Sequence, residues 1–248
     1  MRANVIIFEA ITFILFIAFY VGGKKAFGKS RNRAFLVGAI LFSLAIETVS
    51  VLIGGKNYYW YSINGYYTHY PLGGYIIWLG LVPLAATLLW AMVAATSYLT
   101  AFTLMPRAKL WVRSALAGGV AVVFQLLIQP VAVTNHWWTW NLKSFYFLDV
   151  PLVALFGSFG AMFLFTYAFQ TTLVHMSDPG WLKKVEDATV RRWPIKSKKI
   201  AKNLNWPQQL ELFAFRLIVA FAIFAAYMAP FIAIFWAIAN RGQIKPGW

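Results

Sequence analysis

The chain reads as an all-α, polytopic membrane helix bundle of about six transmembrane helices with one broken or re-entrant segment. Three observations predict this. Hydrophobic residues fill 61% of the 248 positions and charged residues 12%, where a soluble domain carries roughly 25% charged. The mean hydropathy is +0.66, and apolar runs of about 20 residues recur, each long enough to cross a ~30 Å hydrocarbon core. The basic residues collect in alternate connections between those runs.

Span 1 covers about 4–22. No small-residue cleavage signature precedes Gly22, Gly23 and the lysines, so the segment is expected to be a retained helix rather than a signal peptide. Lys24, Lys25, Lys29, Arg31 and Arg33 lead into span 2, about 34–54. Span 3, about 72–104, is too long for one perpendicular crossing, and Pro71, Gly73, Gly74, Gly80 and Pro83 sit in its first half. That half is expected to be a short half-helix or interfacial segment up to about Leu81, not continuous with the helix that follows. A proline inside a helix costs about 3 kcal/mol, and broken backbone at membrane depth survives only where protein buries it or it lines a cavity. Arg107, Lys109 and Arg113 lead into span 4, about 114–133, and span 5 follows at about 150–174. A basic loop, 175–208, precedes span 6, about 210–239, in which Pro230 predicts a kink. All of 1–248 is read as a single transmembrane domain.

Of the 22 Lys and Arg, 16 fall in the connections after spans 1, 3 and 5. The positive-inside rule then puts those loops in the cytoplasm and both termini outside, in the cell membrane. The net charge of +15 is thus mostly topology, with anionic lipid headgroups rather than nucleic acid as its partner. Zero cysteines exclude disulfides, iron–sulfur clusters and thiolate nucleophiles. No HExxH, Walker A or aspartate-rich diphosphate motif appears, and no lysine lies mid-helix to carry a retinal. His69 and His136 both fall outside, without a third ligand. No metal or cofactor is implied.

Two external loops hold most of the unusual composition. Residues 54–71 contain six tyrosines and Trp60; residues 134–151 contain Trp137, Trp138, Trp140, Phe145, Tyr146 and Phe147. One reading is an interfacial aromatic belt. The other is an aromatic-lined pocket opening toward the outer leaflet, because these residues gather at one face and bracket the broken start of span 3.

Intramembrane ionisable groups are costly and mark function by default. Glu47 lies two-thirds along span 2, in the outer half, and is expected to face the interior within reach of an aromatic hydroxyl, an indole N–H or water. Its alternative role is a purely structural hydrogen bond. Glu9 is placed where its carboxylate could simply reach the headgroups. Glu211 opens span 6, where an acid complements the helix dipole. Arg216, five residues on, points about 140° away from it, so it requires a partner on another helix or snorkels to the headgroups.

The order of motifs resembles one family: the integral-membrane carotenoid hydratases that act on bacterioruberin precursors in archaea (bisanhydrobacterioruberin hydratase-like), with bacterial relatives. A helical glutamate, Glu47, leads through Gly54 and Gly55 to Tyr59-Trp60-Tyr61. Pro71 is followed seven residues on by Trp78, and Pro130 eight residues on by Trp138-Thr139-Trp140. Tyr146-Phe147 then leads to Val150-Pro151-Leu152. The similarity covers roughly residues 40–160. It implies addition of water to a C=C of a carotenoid or other polyisoprenoid lipid, with Glu47 and Asp149 as the available acids. It also implies a substrate site formed by Tyr59, Tyr61, Trp78, Gln129, Trp138, Trp140 and Tyr146. Three positions depart from the family: Gln129 replaces its aspartate, Ala154 its asparagine and Ser158 its tryptophan. A glutamine cannot protonate an alkene. The alternative is therefore a non-catalytic relative that binds carotenoid or lipid, or an accessory subunit of a larger membrane complex.

Overall fold

The computed structural model describes residues 3–54, 59–61, 75–135, 137–140, 146–148, 150–173 and 206–240. Asp149, His69, His136 and most of the 175–208 loop lie outside the described residues, and for Tyr59, Tyr61 and Trp140 only the backbone is described.

Among the described residues six helices carry the fold: α1 (Ala3–Phe27), α2 (Lys29–Gly54), α3 (Leu84–Leu104), α4 (Leu110–Thr134), α5 (Leu152–Leu173) and α6 (Trp206–Asn240). All six are long and apolar enough to span a membrane. They run one to two turns past the apolar runs at several ends, because Lys29 to Arg33, Leu110 to Arg113 and Trp206 to Gln209 continue the helix beyond the hydrophobic stretch. Among the described residues short strands decorate one end: β1 (Tyr59–Tyr61), β2 (Trp78–Leu79), β3 (Val82–Pro83), β4 (Trp138–Trp140), β5 (Tyr146–Phe147) and β6 (Val150–Pro151).

The break in span 3 is present, but the described part of it, 75–83, is a hairpin rather than a half-helix. β2 pairs antiparallel with β3 around Gly80, whose φ of +63° is left-handed and suits glycine. Pro83, extended at φ −62° and ψ 138°, then caps α3. Strands β1 and β4 pair antiparallel with Tyr61 opposite Trp138 and Tyr59 opposite Trp140, which ties the two aromatic loops together. Asn4 at the start of α1 donates to the Asn135 carbonyl at the end of α4 over 2.7 Å. These contacts place the start of α1 and the ends of α2 and α4 at one end of the bundle.

Helix α3 is the centre and α6 the periphery: 67% of the most apolar stretch of α3 is buried against 17% of that of α6. Ala85, Ala86, Ala91, Ala94, Ala95 and Ala101 make α3 narrow enough for neighbours to close on it. Toward the end opposite the strands, an aromatic plug fills the bundle. Phe35 meets Phe169 edge-on at 4.6 Å and Phe165 at 5.1 Å, while Tyr98 meets Phe169 at 5.2 Å.

Arg216 does not snorkel. It is buried and donates to the Thr172 hydroxyl of α5 at 3.2 Å, the partner on another helix that its position required. Glu9 does not reach for headgroups either. It is buried, and its carboxylate accepts from the backbone N–H groups of Ile76 at 2.9 Å and Ile77 at 3.3 Å, so α1 holds the segment leading into the hairpin.

Candidate intramembrane site

Glu47 sits about two turns before the end of α2, among small and apolar residues that let it face inward. Its side chain is only 8% exposed, and the Trp90 indole of α3 donates to Oε1 at 2.7 Å. Taking a carboxyl group out of water is costly unless donors meet it; Trp90 is one such donor. From α4, Gln129 is buried and lines the same cavity. Its amide donates to Gln125, one turn earlier, and its Oε1 accepts from the Trp138 indole at 2.6 Å.

These groups meet at a cavity of about 810 Å³, the size of a small-molecule site. Glu47, Trp90, Gln125, Gln129 and Trp138 line it together with Ser43 and Ser50. The hydroxyl of Ser43 is already given to the Ile40 carbonyl and that of Ser158 to the Ala154 carbonyl. The remaining walls are apolar: Phe42, Ile46, Leu89, Val93, Phe124, Ile128, Val153, Ala154, Phe165, Phe224 and Met228 among others. Along α2 the lining runs from Ala39 to Ser50, about 16 Å at ~1.5 Å per residue. The cavity is therefore elongated along the bundle. It carries its amides, indoles and acid toward the strand end, and Phe42 and Phe165 toward the aromatic plug.

A cap of aromatic rings closes the strand end. Phe8 stacks on Trp137 at 4.1 Å and meets Trp138 edge-on at 6.4 Å. Tyr75 donates its hydroxyl to the Trp137 carbonyl at 2.9 Å. Burial first, and the nearby Glu9 carboxylate second, push the Tyr75 phenol above its ordinary range, so it stays a donor.

Of the residues singled out from the sequence, Glu47, Gln129 and Trp138 are brought together at the cavity. Trp78 is not among its lining residues: it packs half-buried in the cap, and its indole donates to the Tyr75 carbonyl at 3.1 Å. Tyr146 is 43% exposed on β5 and also stands apart from the cavity. β1 and β4 carry Tyr59, Tyr61 and Trp140 over this end as backbone only, and Asp149 lies outside the described residues. The departures Ala154 and Ser158 line the cavity too. Sequence reasoning missed Trp90 and Gln125. Gln125 had a signal, since two glutamines one turn apart in an apolar helix are themselves costly; a lone tryptophan in α3 had none. Among the described residues no group of three His, Cys, Asp or Glu stands close enough to hold a metal.

Comparison of the chain with known protein families, with curated proteins and with solved structures finds no match in any of the three.

Proposed function

We propose that the protein is a multi-pass cell-membrane hydratase that adds water to a C=C near the end of a carotenoid or other polyisoprenoid lipid. The observation that carries this reading is the carboxyl group of Glu47, the one acid among the described lining residues, at the polar end of an elongated apolar cavity. In this reading Glu47, in its acid form, gives its proton to one alkene carbon and forms a C–H bond. The electron pair of the double bond is consumed and a tertiary cation remains on the other carbon. Ring faces at the polar end, Trp90 and Trp138, stabilise that cation. A water held by the Gln125 and Gln129 amides attacks it, and the proton the water sheds returns to the Glu47 carboxylate. Atoms balance as one water added, and no oxidant or cofactor is used.

The orientation belongs to the same proposal: strand end outward, both termini outside, and the basic connections among anionic headgroups on the cytoplasmic side. The second reading, a non-catalytic carotenoid- or lipid-binding relative or complex subunit, is favoured by Gln129. It stands at the family's aspartate and is held by Trp138 and Gln125 as a neutral hydrogen-bonding group. Purified protein incubated with an acyclic carotene in liposomes decides between them. Appearance of a tertiary alcohol supports the hydratase; carotene retained unchanged on the protein supports the binder; carotene neither converted nor retained overturns the polyisoprenoid reading.

A further inference from the structure

The cavity has a closed floor and an open side. Where α2 and α6 pass each other near the aromatic plug they touch closely: a Cβ on Gly38 would stand 2.6 Å from the Phe213 ring and 3.3 Å from Leu217. Toward the strand end α6 is held by α5 instead. A Cβ on Gly160 would stand 2.5 Å from the Tyr227 ring, and Phe156 stacks on Phe231 at 4.7 Å. Beyond the Gly38–Phe213 contact the cavity lies between the two helices, lined by α2 as far as Ser50 and by α6 from Phe221 to Ala237. Its lining residues there, Ser50 on α2 and Ala225, Ala229 and Ala233 on α6, are at once cavity wall and exposed surface. Residues that face both a cavity and the outside mark a mouth, and at this depth of apolar helix the outside is lipid rather than water. The small side chains of α6 keep that mouth clear.

We propose that the gap between α2 and α6 is a lateral portal through which the polyisoprenoid chain of the proposed function enters from the outer leaflet. Its end seats at Glu47 while the remainder of the chain stays in the bilayer. An elongated cavity that ends at Phe42 and Phe165 holds a chain end, and the open side gives the rest of a long lipid somewhere to lie. The inference rests on the polyisoprenoid reading for its occupant, but the opening itself can be tested without it.

Because the chain has no cysteine, single spin labels at Ala229→Cys and Ala233→Cys in phosphatidylcholine liposomes report the mouth directly. The portal predicts labels that collide with dissolved oxygen and not with a water-soluble nickel chelate. Labels shielded from both show the helices closed and overturn the portal whatever the ligand. Occupancy is then read with geranylgeraniol carrying a photoreactive diazirine at its far end. In the wild type the probe should label α2 and α6. Ala233→Trp should reduce that labelling by roughly tenfold or more, since an indole fills the space a chain must cross. Ile234→Trp, exposed on the side of α6 turned away from the lining, should leave it unchanged. Labelling that survives in Ala233→Trp contradicts entry through this gap. Accessible spin labels with no photolabelling of the wild type instead contradict the polyisoprenoid occupant.

Discussion

The Trp138 indole donates to Gln129 Oε1 at 2.6 Å, joining a strand of the cap to a helix wall of the cavity. The two residues are nine apart in sequence, separated by Pro130 and the turn at Asn135. The bond turns the indole inward, so the cap ends in an apolar ring and the cavity begins at an amide.

Trp138→Phe should therefore lower stability by about 1–2 kcal/mol, the net worth of a buried hydrogen bond plus some packing. Gln129→Leu should make the two changes non-additive in a double-mutant cycle read by thermal unfolding in detergent. Strict additivity would show that the two side chains do not depend on each other.

Glu9 and the segment before the hairpin give a second outcome. Glu9→Ala removes both acceptors of the Ile76 and Ile77 N–H groups. Hydrogen exchange at those two amides should accelerate by roughly tenfold or more, with Glu9→Gln in between, since each lost bond is worth about 1–3 kcal/mol. Unchanged exchange would place the anchor of the segment elsewhere.

The α5–α6 contact at Gly160 leaves no room for a methyl group. Gly160→Ala should destabilise the bundle by about 1–3 kcal/mol by overpacking against Tyr227. The same change in a Tyr227→Ala background should cost little. An equal cost in both backgrounds would mean that the substitution acts through the α5 backbone and not through the ring.

How far this molecule can be read before folding depends on which force is asked about. Hydropathy finds the six spans because it measures transfer out of water, and Pro83 marks the true start of α3. The inward-facing Glu47 is legible for the same reason: a carboxyl group cannot be left in lipid. The hairpin at Gly80 is less visible, because Glu9, which fixes the chain leading into it, lies more than sixty residues away. The cavity is hardly visible at all. Gly157, Ala229 and Met228 carry no chemical signature, and lipid and protein interior are equally apolar, so periodicity does not say which face turns inward. That is also why Trp78 and Tyr146, grouped with Trp138 by composition, separate from it in space.

The proposed chemistry turns on the Glu47 carboxyl group, and replacing that group by its own amide is the most direct test. In liposomes supplied with an acyclic carotene and water enriched in heavy oxygen, the wild type should form a tertiary alcohol carrying the heavy isotope. Glu47→Gln keeps the shape of the side chain and can still accept from Trp90, so the protein should fold and retain carotene. It should form none of that alcohol. Labelled alcohol produced by Glu47→Gln at the wild-type rate would contradict the proposed role of Glu47 and move the acid to another residue.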